Sequence, residues 1–374
     1  MKIGIITYHS SHNYGSMLQA YALSSYLRSK GCDVEIIDYR NKRQLRLYKH
    51  PLSPFAYNYR YFLKYILSFT NPIWLYHECK KWALYERFIK EFLPVSSKQY
   101  RTWEEIKEDL PSLNYDFIIA GGDQIWNMKG LHFDTSYYLP SKLPYVKKIS
   151  YSVSFGGEFL NKIESKDVIF IKNCLIDYSD ISVREESVKI YLENVINKKV
   201  YITLDPTMLL KAEDFRIFIE KPIIKGNYIY YYSPFPRPEA ERLAILYGDY
   251  LGLKVVTSAP HIMNKKNSRM CVLHESGPKE FLNLLSNATM VIGRSFHLVA
   301  FSLLFHKEFL VVDGDNDYRL KYILSKVGLC DRGVVNCSNY KINILKKIDY
   351  NRIDSIISEL RENSVNYLKE SIGI

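Results

Sequence analysis

The sequence predicts an α/β protein with two Rossmann-like domains that face a cleft, followed by a C-terminal helix. Short apolar, β-branched segments alternate with amphipathic segments along most of the 374 residues. This alternation is typical of parallel sheets covered by helices. Glycines follow several of the apolar segments, as expected where strands end. The length and the 47% hydrophobic content suit two domains with complete cores.

The first domain is predicted over residues 1–220. It opens with a strand at 3–8, a helix at 17–30 that a glycine ends, and a strand at 34–38. A helical excursion, rich in basic and aromatic residues, is expected at about 40–93. Further strands are predicted at residues 115–120, 148–155, 181–183 and 200–204.

The second domain is predicted over residues 221–345, of which 221–227 are the linker, and residues 346–374 are predicted to form the C-terminal helix. Strands are expected at 228–233, 254–258, 288–292 and 309–313, and helices at 239–252, 278–287, 294–305 and 317–327. Two Rossmann-like domains with a terminal helix describe a glycosyltransferase-B-like architecture.

Charge and composition narrow the class of partner. The net charge of +11 favours an anionic partner such as a phosphorylated metabolite, a nucleotide sugar or an anionic membrane surface. Nucleic acid is not expected, because the basic residues are dispersed and no nucleic-acid module is visible. Six scattered cysteines without a Cys-x-x-Cys pair, and the lack of a signal peptide or long apolar run, predict a cytoplasmic protein.

The segment 288–301 carries the strongest chemical signal. An apolar strand ends at Gly293, and Arg294, Ser295 and His297 follow before an apolar helix. A helix starting near Arg294 would place the arginine and the histidine on one face of its first turn. A fixed cation, a helix N-terminus and an imidazole suit an anionic substrate that must gain or lose a proton. The alternative is a solvent-facing arginine followed by a core histidine.

Other candidates also follow strands. Asp123 comes after a glycine pair, where it orients a sugar hydroxyl or caps the next turn. Arg184 is a second cation at a strand end, although Glu185 or Glu186 could pair with it. The loop at 9–16 precedes a helix without a Gly-x-Gly-x-x-Gly pattern, so a dinucleotide site is not expected, whereas an anion or sugar site is compatible. Two histidines in this loop lack a third ligand, so no metal is predicted.

Several short motifs occur together and in order. They are Tyr8-His9 with Asn13-Tyr14-Gly15-Ser16-Met17-Leu18-Gln19-Ala20-Tyr21, Gly122-Asp123-Gln124-Ile125-Trp126-Asn127, Tyr151-Ser152-Val153-Ser154-Phe155-Gly156, Ile181-Ser182-Val183-Arg184-Glu185, Leu204-Asp205-Pro206-Thr207 and Arg294-Ser295-Phe296-His297. This set resembles the polysaccharide pyruvyl transferase family over about residues 1–330. The segment 40–91 carries none of the pattern.

The resemblance implies an enzyme that moves the enolpyruvyl group of phosphoenolpyruvate onto a sugar as a pyruvate ketal, in capsule or exopolysaccharide synthesis, without a cofactor. It implies that Arg184, Arg294 and Ser295 bind the donor, with the two arginines on opposite domains. His297 and Asp123 are the expected catalytic residues. The expected acceptor or cleft residues are His9, Asn13, Tyr14, Gly15, Gln124 and Ser154.

The sequence leaves alternatives open for the acceptor, for the basic segment and for the function. The acceptor is expected to be a sugar or a lipid-linked oligosaccharide, and the basic segment 40–91 suits either contact with the inner membrane face or a solvated helical surface. A nucleotide-sugar-dependent glycosyltransferase shares the fold class, with Glu280 as a rough candidate for the ribose contact. A non-catalytic glycan-binding partner is the third alternative.

Overall fold

The computed structural model describes residues 1–53, 66, 70–156, 163–219, 221–258, 270–312, 317–335, 340, 342 and 345–374. It divides into two units. Unit 1 contains Met1–Leu209 and Leu360–Ile374, and unit 2 contains Leu210–Glu359. The division after Leu209 precedes the linker expected at 221–227, and the second division falls inside the last helix rather than before it.

Parallel strands form the framework of each unit. The strands of unit 1 are β1 Lys2–Ile6, β2 Asp33–Tyr39, β3 Val95–Tyr100, β4 Phe117–Gly121, β5 Lys147–Tyr151, β6 Ser182–Val183 and β7 Tyr201–Ile202. Those of unit 2 are β8 Tyr228–Tyr232, β9 Lys254–Thr257, β10 Met270–Val272, β11 Met290–Gly293, β12 Glu308–Val312 and β13 Gly333–Val334.

Helices alternate with these strands, as the sequence predicts. They are α1 Tyr14–Ser29, α2 Lys42–Leu47, α3 Pro72–Phe92, α4 Trp103–Leu113, α5 Ser165–Leu175, α6 Glu186–Ile196, α7 Pro238–Leu251, α8 Pro278–Asn287, α9 Phe296–Leu304, α10 Tyr318–Val327 and α11 Tyr350–Ile372. Of the excursion at 40–93, the described residues form α2 and α3. Most of 54–69 lies outside the described residues.

The main sheet of unit 1 has the strand order β3-β2-β1-β4-β5, and all of its pairings are parallel. The chain first adds strands on one side of β1 and then continues on the other side with β4. The carboxyl ends of β1 and β4 therefore form the topological switch point, the usual ligand position in such sheets. Apolar side chains of these two strands, such as Ile5 in β1 and Ile119 in β4, are fully buried.

Unit 2 repeats this topology in a separate sheet with the order β10-β9-β8-β11-β12-β13. Its switch point lies between β8 and β11, because the chain adds β9 and β10 on one side of β8 and then β11 on the other. Gly293, the last residue of β11, is in register with Tyr232 of β8. A Cβ atom at Gly293 would lie 1.8 Å from the Tyr232 carbonyl oxygen, so only glycine allows this approach.

We expect Gly293→Ala to destabilise the protein by about 3 kcal/mol, because the methyl group collides with the backbone of a paired strand rather than with a movable side chain. Denaturant unfolding followed by circular dichroism measures this. Gly373→Ala is the control, since nothing lies within 4 Å of a Cβ atom there. It should cost about 1 kcal/mol or less. Equal midpoints for the two variants would contradict the packing argument.

Local capping explains where the structure departs from the predicted boundaries. Helix α1 begins at Tyr14 instead of residue 17, because the Asn13 side chain accepts hydrogen bonds from the backbone N–H groups of Gly15 (3.0 Å) and Ser16 (3.3 Å). Strand β5 ends at Tyr151 rather than at residue 155, because Ser152 has a φ of 49° and leaves the extended conformation. Helix α8 has the predicted bounds.

Helix α11 is shared between the two units. Its first residues belong to unit 2, and its residues from Leu360 onward belong to unit 1. In unit 1, the Ser364 hydroxyl accepts a hydrogen bond from the Leu204 N–H (2.9 Å), and the Tyr367 hydroxyl donates to the Ser150 carbonyl (2.7 Å). The end of the chain thus packs on strand β5 and on the segment after β7.

Candidate functional site

Polar side chains meet at the switch point of unit 1. The Ser16 hydroxyl, in the first turn of α1, donates to the Asp123 carboxylate, which lies after β4. Asp123 also accepts a hydrogen bond from the Gln124 N–H (2.8 Å), and it holds a φ of 49°. The preceding Gly122 has a φ of 64°, and a Cβ atom there would lie 1.9 Å from the Gln19 amide oxygen. The glycine lets α1 and the segment after β4 approach closely.

A second hydroxyl–carboxylate contact adjoins the first. The Ser154 N–H donates to the Asp123 carbonyl (2.8 Å), and the Ser154 hydroxyl donates to the Glu185 carboxylate. Both Ser154 and Glu185 are buried. The structure therefore brings Asp123, Gln124 and Ser154 together, and their role in catalysis or acceptor binding stays a prediction. It adds Ser16 and Glu185, whose contacts with Asp123 and Ser154 the sequence does not reveal, because they span 107 and 31 residues.

Arg184, predicted to bind the donor, forms an ion pair inside unit 1. Its side chain is 2% exposed and pairs with the fully buried carboxylate of Asp205 at 2.6 Å. Arg184 also donates to the Ser152 carbonyl oxygen (3.4 Å). The guanidinium is therefore directed into unit 1. A buried charge requires such a partner, and this ion pair joins the segments that follow β5, β6 and β7. Donor contact by Arg184 stays a prediction.

Four of the predicted acceptor residues serve the protein's own structure. Asn13 caps α1, and Tyr14 and Gly15 form the first turn of that helix. The His9 ring is fully buried and contacts the Asp38 carboxylate at 2.9 Å. Burial alone would raise the pKa of Asp38, but hydrogen bonds from His9 and Arg40 outweigh this and lower it to about 2. Asp38 is therefore ionised at neutral pH, and acceptor contact by these four residues stays a prediction.

The basic excursion is anchored by the same network. Arg40 lies 2.7 Å from Asp38 and 3.7 Å from Glu86 of α3, whose carboxylate also contacts His12 at 2.9 Å. Hence Arg40 is an internal ion-pair partner, whereas Lys42 and Arg46 of α2 are exposed. Contact with a membrane surface stays a prediction for this segment.

In unit 2, the candidate donor residues lie at the switch point. The Arg294 N–H donates to the Tyr232 carbonyl (3.1 Å), so the arginine follows the last paired residue of β11. Helix α9 begins at Phe296 with Ser295 as N-cap, two residues later than the start predicted near Arg294. His297 is 6% exposed in the first turn, which contains no acidic residue. Arg294 thus precedes the positive end of the helix dipole.

Asp317 and Arg319, at the start of α10, form a second charged pair in unit 2. Arg319 holds Asp317 through two hydrogen bonds of 2.9 and 2.6 Å. Burial would raise the pKa of Asp317, but the charge of Arg319, with a smaller contribution from Arg294, lowers it. Arg294 therefore lies close enough to Asp317 to interact with it. A helix start at Asp317 was predictable, but its link to Arg294 was not, because it depends on the pairing of β11 with β12.

Glu280, the candidate for a ribose contact, has a local structural explanation. Glu280 accepts a hydrogen bond from the Gly277 N–H (2.9 Å) and so caps α8, which gives it a local structural role. Within the described ranges, no group of three histidine, cysteine, aspartate or glutamate side chains could hold a metal ion. No helix in the described part of the chain combines the length and apolarity needed to cross a membrane.

Two parallel α/β units with polar residues at both switch points define a protein of the glycosyltransferase-B-like class, as the sequence predicts. A profile of the polysaccharide pyruvyl transferase family matches residues 13–316, which is more than half of the chain. The chain belongs to this family, and it is a transferase by membership. No curated protein matches the sequence significantly.

Solved structures support the fold alone. A putative UDP-N-acetylglucosamine 2-epimerase from Listeria monocytogenes matches with a TM-score of 0.54 and 9% identity over 100% of this chain and 90% of the other. The UDP-GlcNAc 2-epimerase from Neisseria meningitidis gives 0.51 and 11%, covering 100% and 94%. That from Methanocaldococcus jannaschii gives 0.50 and 13%, covering 96% and 92%.

Proposed function

We propose that this protein transfers the enolpyruvyl group of phosphoenolpyruvate to a sugar, forming a pyruvate ketal during surface polysaccharide synthesis. The observation that carries the proposal is the position of Arg294 between the end of β11 and the positive end of α9. A guanidinium and a helix N-terminus together suit a small anion that carries both a phosphate and a carboxylate, such as phosphoenolpyruvate. Family membership supports the same reaction class.

The donor site in this proposal comprises Arg294, Ser295 and His297. Arg294 binds the phosphate or the carboxylate in a bidentate manner, and Ser295 contributes its hydroxyl at the N-cap. Arg184 is not assigned to the donor, because its guanidinium is buried against Asp205. Asp123, in unit 1, is assigned to orienting the acceptor hydroxyl.

The reaction balances without a redox partner. A proton passes from His297 to the methylene carbon of phosphoenolpyruvate, which makes the central carbon electrophilic, and an acceptor hydroxyl adds there and returns a proton to His297. Phosphate then leaves, and a second hydroxyl of the same sugar adds and gives its proton to the released phosphate, which closes the ketal. His297 is the proposed proton donor to the methylene carbon, because histidine is the side chain that most often serves as a general acid or base.

The first test is calorimetric titration with phosphoenolpyruvate in the presence and absence of EDTA. We expect binding in both conditions, because arginine and helix N–H groups supply the positive charge in this proposal and no cofactor is required. Titration with UDP-N-acetylglucosamine is the comparison. Binding of the nucleotide sugar without binding of phosphoenolpyruvate would contradict the proposal and favour a nucleotide-sugar-dependent glycosyltransferase.

We expect His297→Gln to retain phosphoenolpyruvate affinity within about threefold while turnover falls by about 100-fold or more, since general acid catalysis contributes on that scale. Phosphate release with methyl glycosides as acceptors measures turnover. The control is His306→Gln, which changes an exposed histidine after the end of the same helix that pairs with Asp354. Equal turnover in the two variants would remove His297 from the mechanism.

A further inference from the structure

Aromatic and polar side chains gather at the switch point of unit 1, close enough to Asp123 for its charge to act on Tyr8 and His132. The group consists of Tyr8, Tyr48, Asp123 and His132, here called the Tyr8 cluster. Tyr8 follows β1, while Asp123 and His132 follow the neighbouring strand β4. The rings of Tyr8 and His132 meet edge to face with centroids 5.7 Å apart, and the Tyr48 ring lies 5.4 Å from that of His132.

The Tyr8 hydroxyl differs from its neighbours. Tyr8 is 4% exposed, and among the described residues its hydroxyl has no hydrogen-bond partner. By contrast, the Tyr137 hydroxyl, on a ring 4.8 Å away, accepts from Gln44 (2.9 Å). Burial raises the pKa of Tyr8 well above its usual value, so the phenol remains a neutral donor. A buried donor without a partner is costly, and a bound ligand would satisfy it.

His132 offers a second position of the same kind. Its Nε2 atom lies 2.8 Å from the Tyr48 hydroxyl, and within the described part of the chain its buried Nδ1 atom has no partner. Burial lowers the pKa of His132 to about 4, with a smaller opposing effect from Asp123, so the ring is neutral at pH 7. The cluster therefore combines neutral hydrogen-bonding atoms and ring surfaces with one carboxylate, and the positive charge of Arg43 also acts on His132.

We propose that the Tyr8 cluster is the subsite that binds the acceptor sugar. A neutral polyol matches this chemistry, because its hydroxyl groups both donate and accept, and its C–H faces pack on aromatic rings. Tyr8 donates to a sugar oxygen, His132 Nδ1 contacts a neighbouring hydroxyl, and Asp123 orients the hydroxyl that reacts. That the bound sugar is the acceptor rests on the proposed function. The test of sugar binding does not depend on the identity of the donor.

The test compares two tyrosine variants in the full chain. Binding of methyl β-D-galactopyranoside, glucopyranoside and mannopyranoside is measured by saturation-transfer NMR, together with thermal unfolding and calorimetric titration with phosphoenolpyruvate. Tyr8→Phe should weaken binding of the preferred glycoside by about tenfold, the value of one hydrogen bond, while the melting temperature stays equal or rises. Phosphoenolpyruvate affinity should not change.

Tyr137→Phe is the matched control, because it removes a hydroxyl that is already bonded within the protein. It should leave glycoside affinity unchanged and lower the melting temperature. His132→Phe keeps an aromatic ring at this position but removes Nδ1 together with the Nε2 contact to Tyr48. It should weaken glycoside binding at least as much as Tyr8→Phe.

Equal glycoside affinities in Tyr8→Phe and Tyr137→Phe would overturn the subsite, and so would a wild-type protein that binds none of the three glycosides. A wild-type protein that fails to bind phosphoenolpyruvate, but loses glycoside affinity in Tyr8→Phe, would support the subsite and refute the donor assignment. The two proposals therefore fail separately.

Discussion

Arg294→Ala should lower the affinity for phosphoenolpyruvate by about 100-fold or more. A phosphate or carboxylate bound at the start of α9 would lose its bidentate cation, and losing one partner of a desolvated charge pair costs about 2–5 kcal/mol. Calorimetric titration measures the change directly. The backbone hydrogen bond from Arg294 to Tyr232 is kept in the variant, so the strand pairing should persist.

Two companion variants separate charge from geometry at this position. Arg294→Lys keeps the charge but not the planar fork, so it should recover only part of the affinity. Arg242→Ala removes an exposed arginine that pairs weakly with Glu239 on α7, and it should bind the donor like the wild type. Unchanged affinity in Arg294→Ala would exclude the switch point of unit 2 as the donor site.

Asp205→Ala should destabilise the fold by about 3–5 kcal/mol, because it leaves the Arg184 guanidinium buried without its carboxylate. The substitution also removes the hydrogen bonds that Asp205 accepts from the Thr207 N–H (2.9 Å) and hydroxyl (2.6 Å). Urea unfolding monitored by circular dichroism measures the loss. Glu213→Ala, which breaks an exposed pair with Arg216, should change the free energy of unfolding by less than about 1 kcal/mol.

The double variant Arg184→Met/Asp205→Leu tests the role of this pair. Replacing both charges with apolar side chains should restore much of the stability lost in Asp205→Ala. Its phosphoenolpyruvate affinity should equal that of the wild type if Arg184 is structural. A loss of donor affinity in this stable double variant would restore Arg184 to the donor site.

The spacing of apolar residues and the positions of glycines were sufficient to predict the alternating strands and helices. Each strand or helix buries an apolar face, and this gives its own short segment a recognisable sequence pattern. Helix α8 begins at a proline and has the predicted bounds, and Gly31 and Gly328 follow helix ends as expected, with φ values of 80° and 68°. Strand β3 lacked such a signal, because its sequence Val95–Tyr100 is mostly polar and partly exposed at the edge of the sheet.

The candidate site was less predictable, because its contacts join distant parts of the chain. Asp123 and Ser154 follow strand ends and could be proposed from the sequence, whereas the partners of Arg184 and His9 could not. Tyr8 occurs in the motif set, but its unsatisfied hydroxyl is a property of packing. Nothing in the sequence around His132 indicates a binding role, because its contact with Tyr48 joins positions that are 84 residues apart.

The split of α11 between the units has a consequence for the order in which the protein can mature. During synthesis, residues 1–209 leave the ribosome long before Leu360–Ile374, which completes the same unit. Until then, the Leu204 N–H lacks the Ser364 hydroxyl, and the Ser150 carbonyl lacks the Tyr367 hydroxyl. Synthesis of unit 1 therefore begins before that of unit 2 and is completed after it. The intervening unit 2 can form as one uninterrupted stretch before that completion.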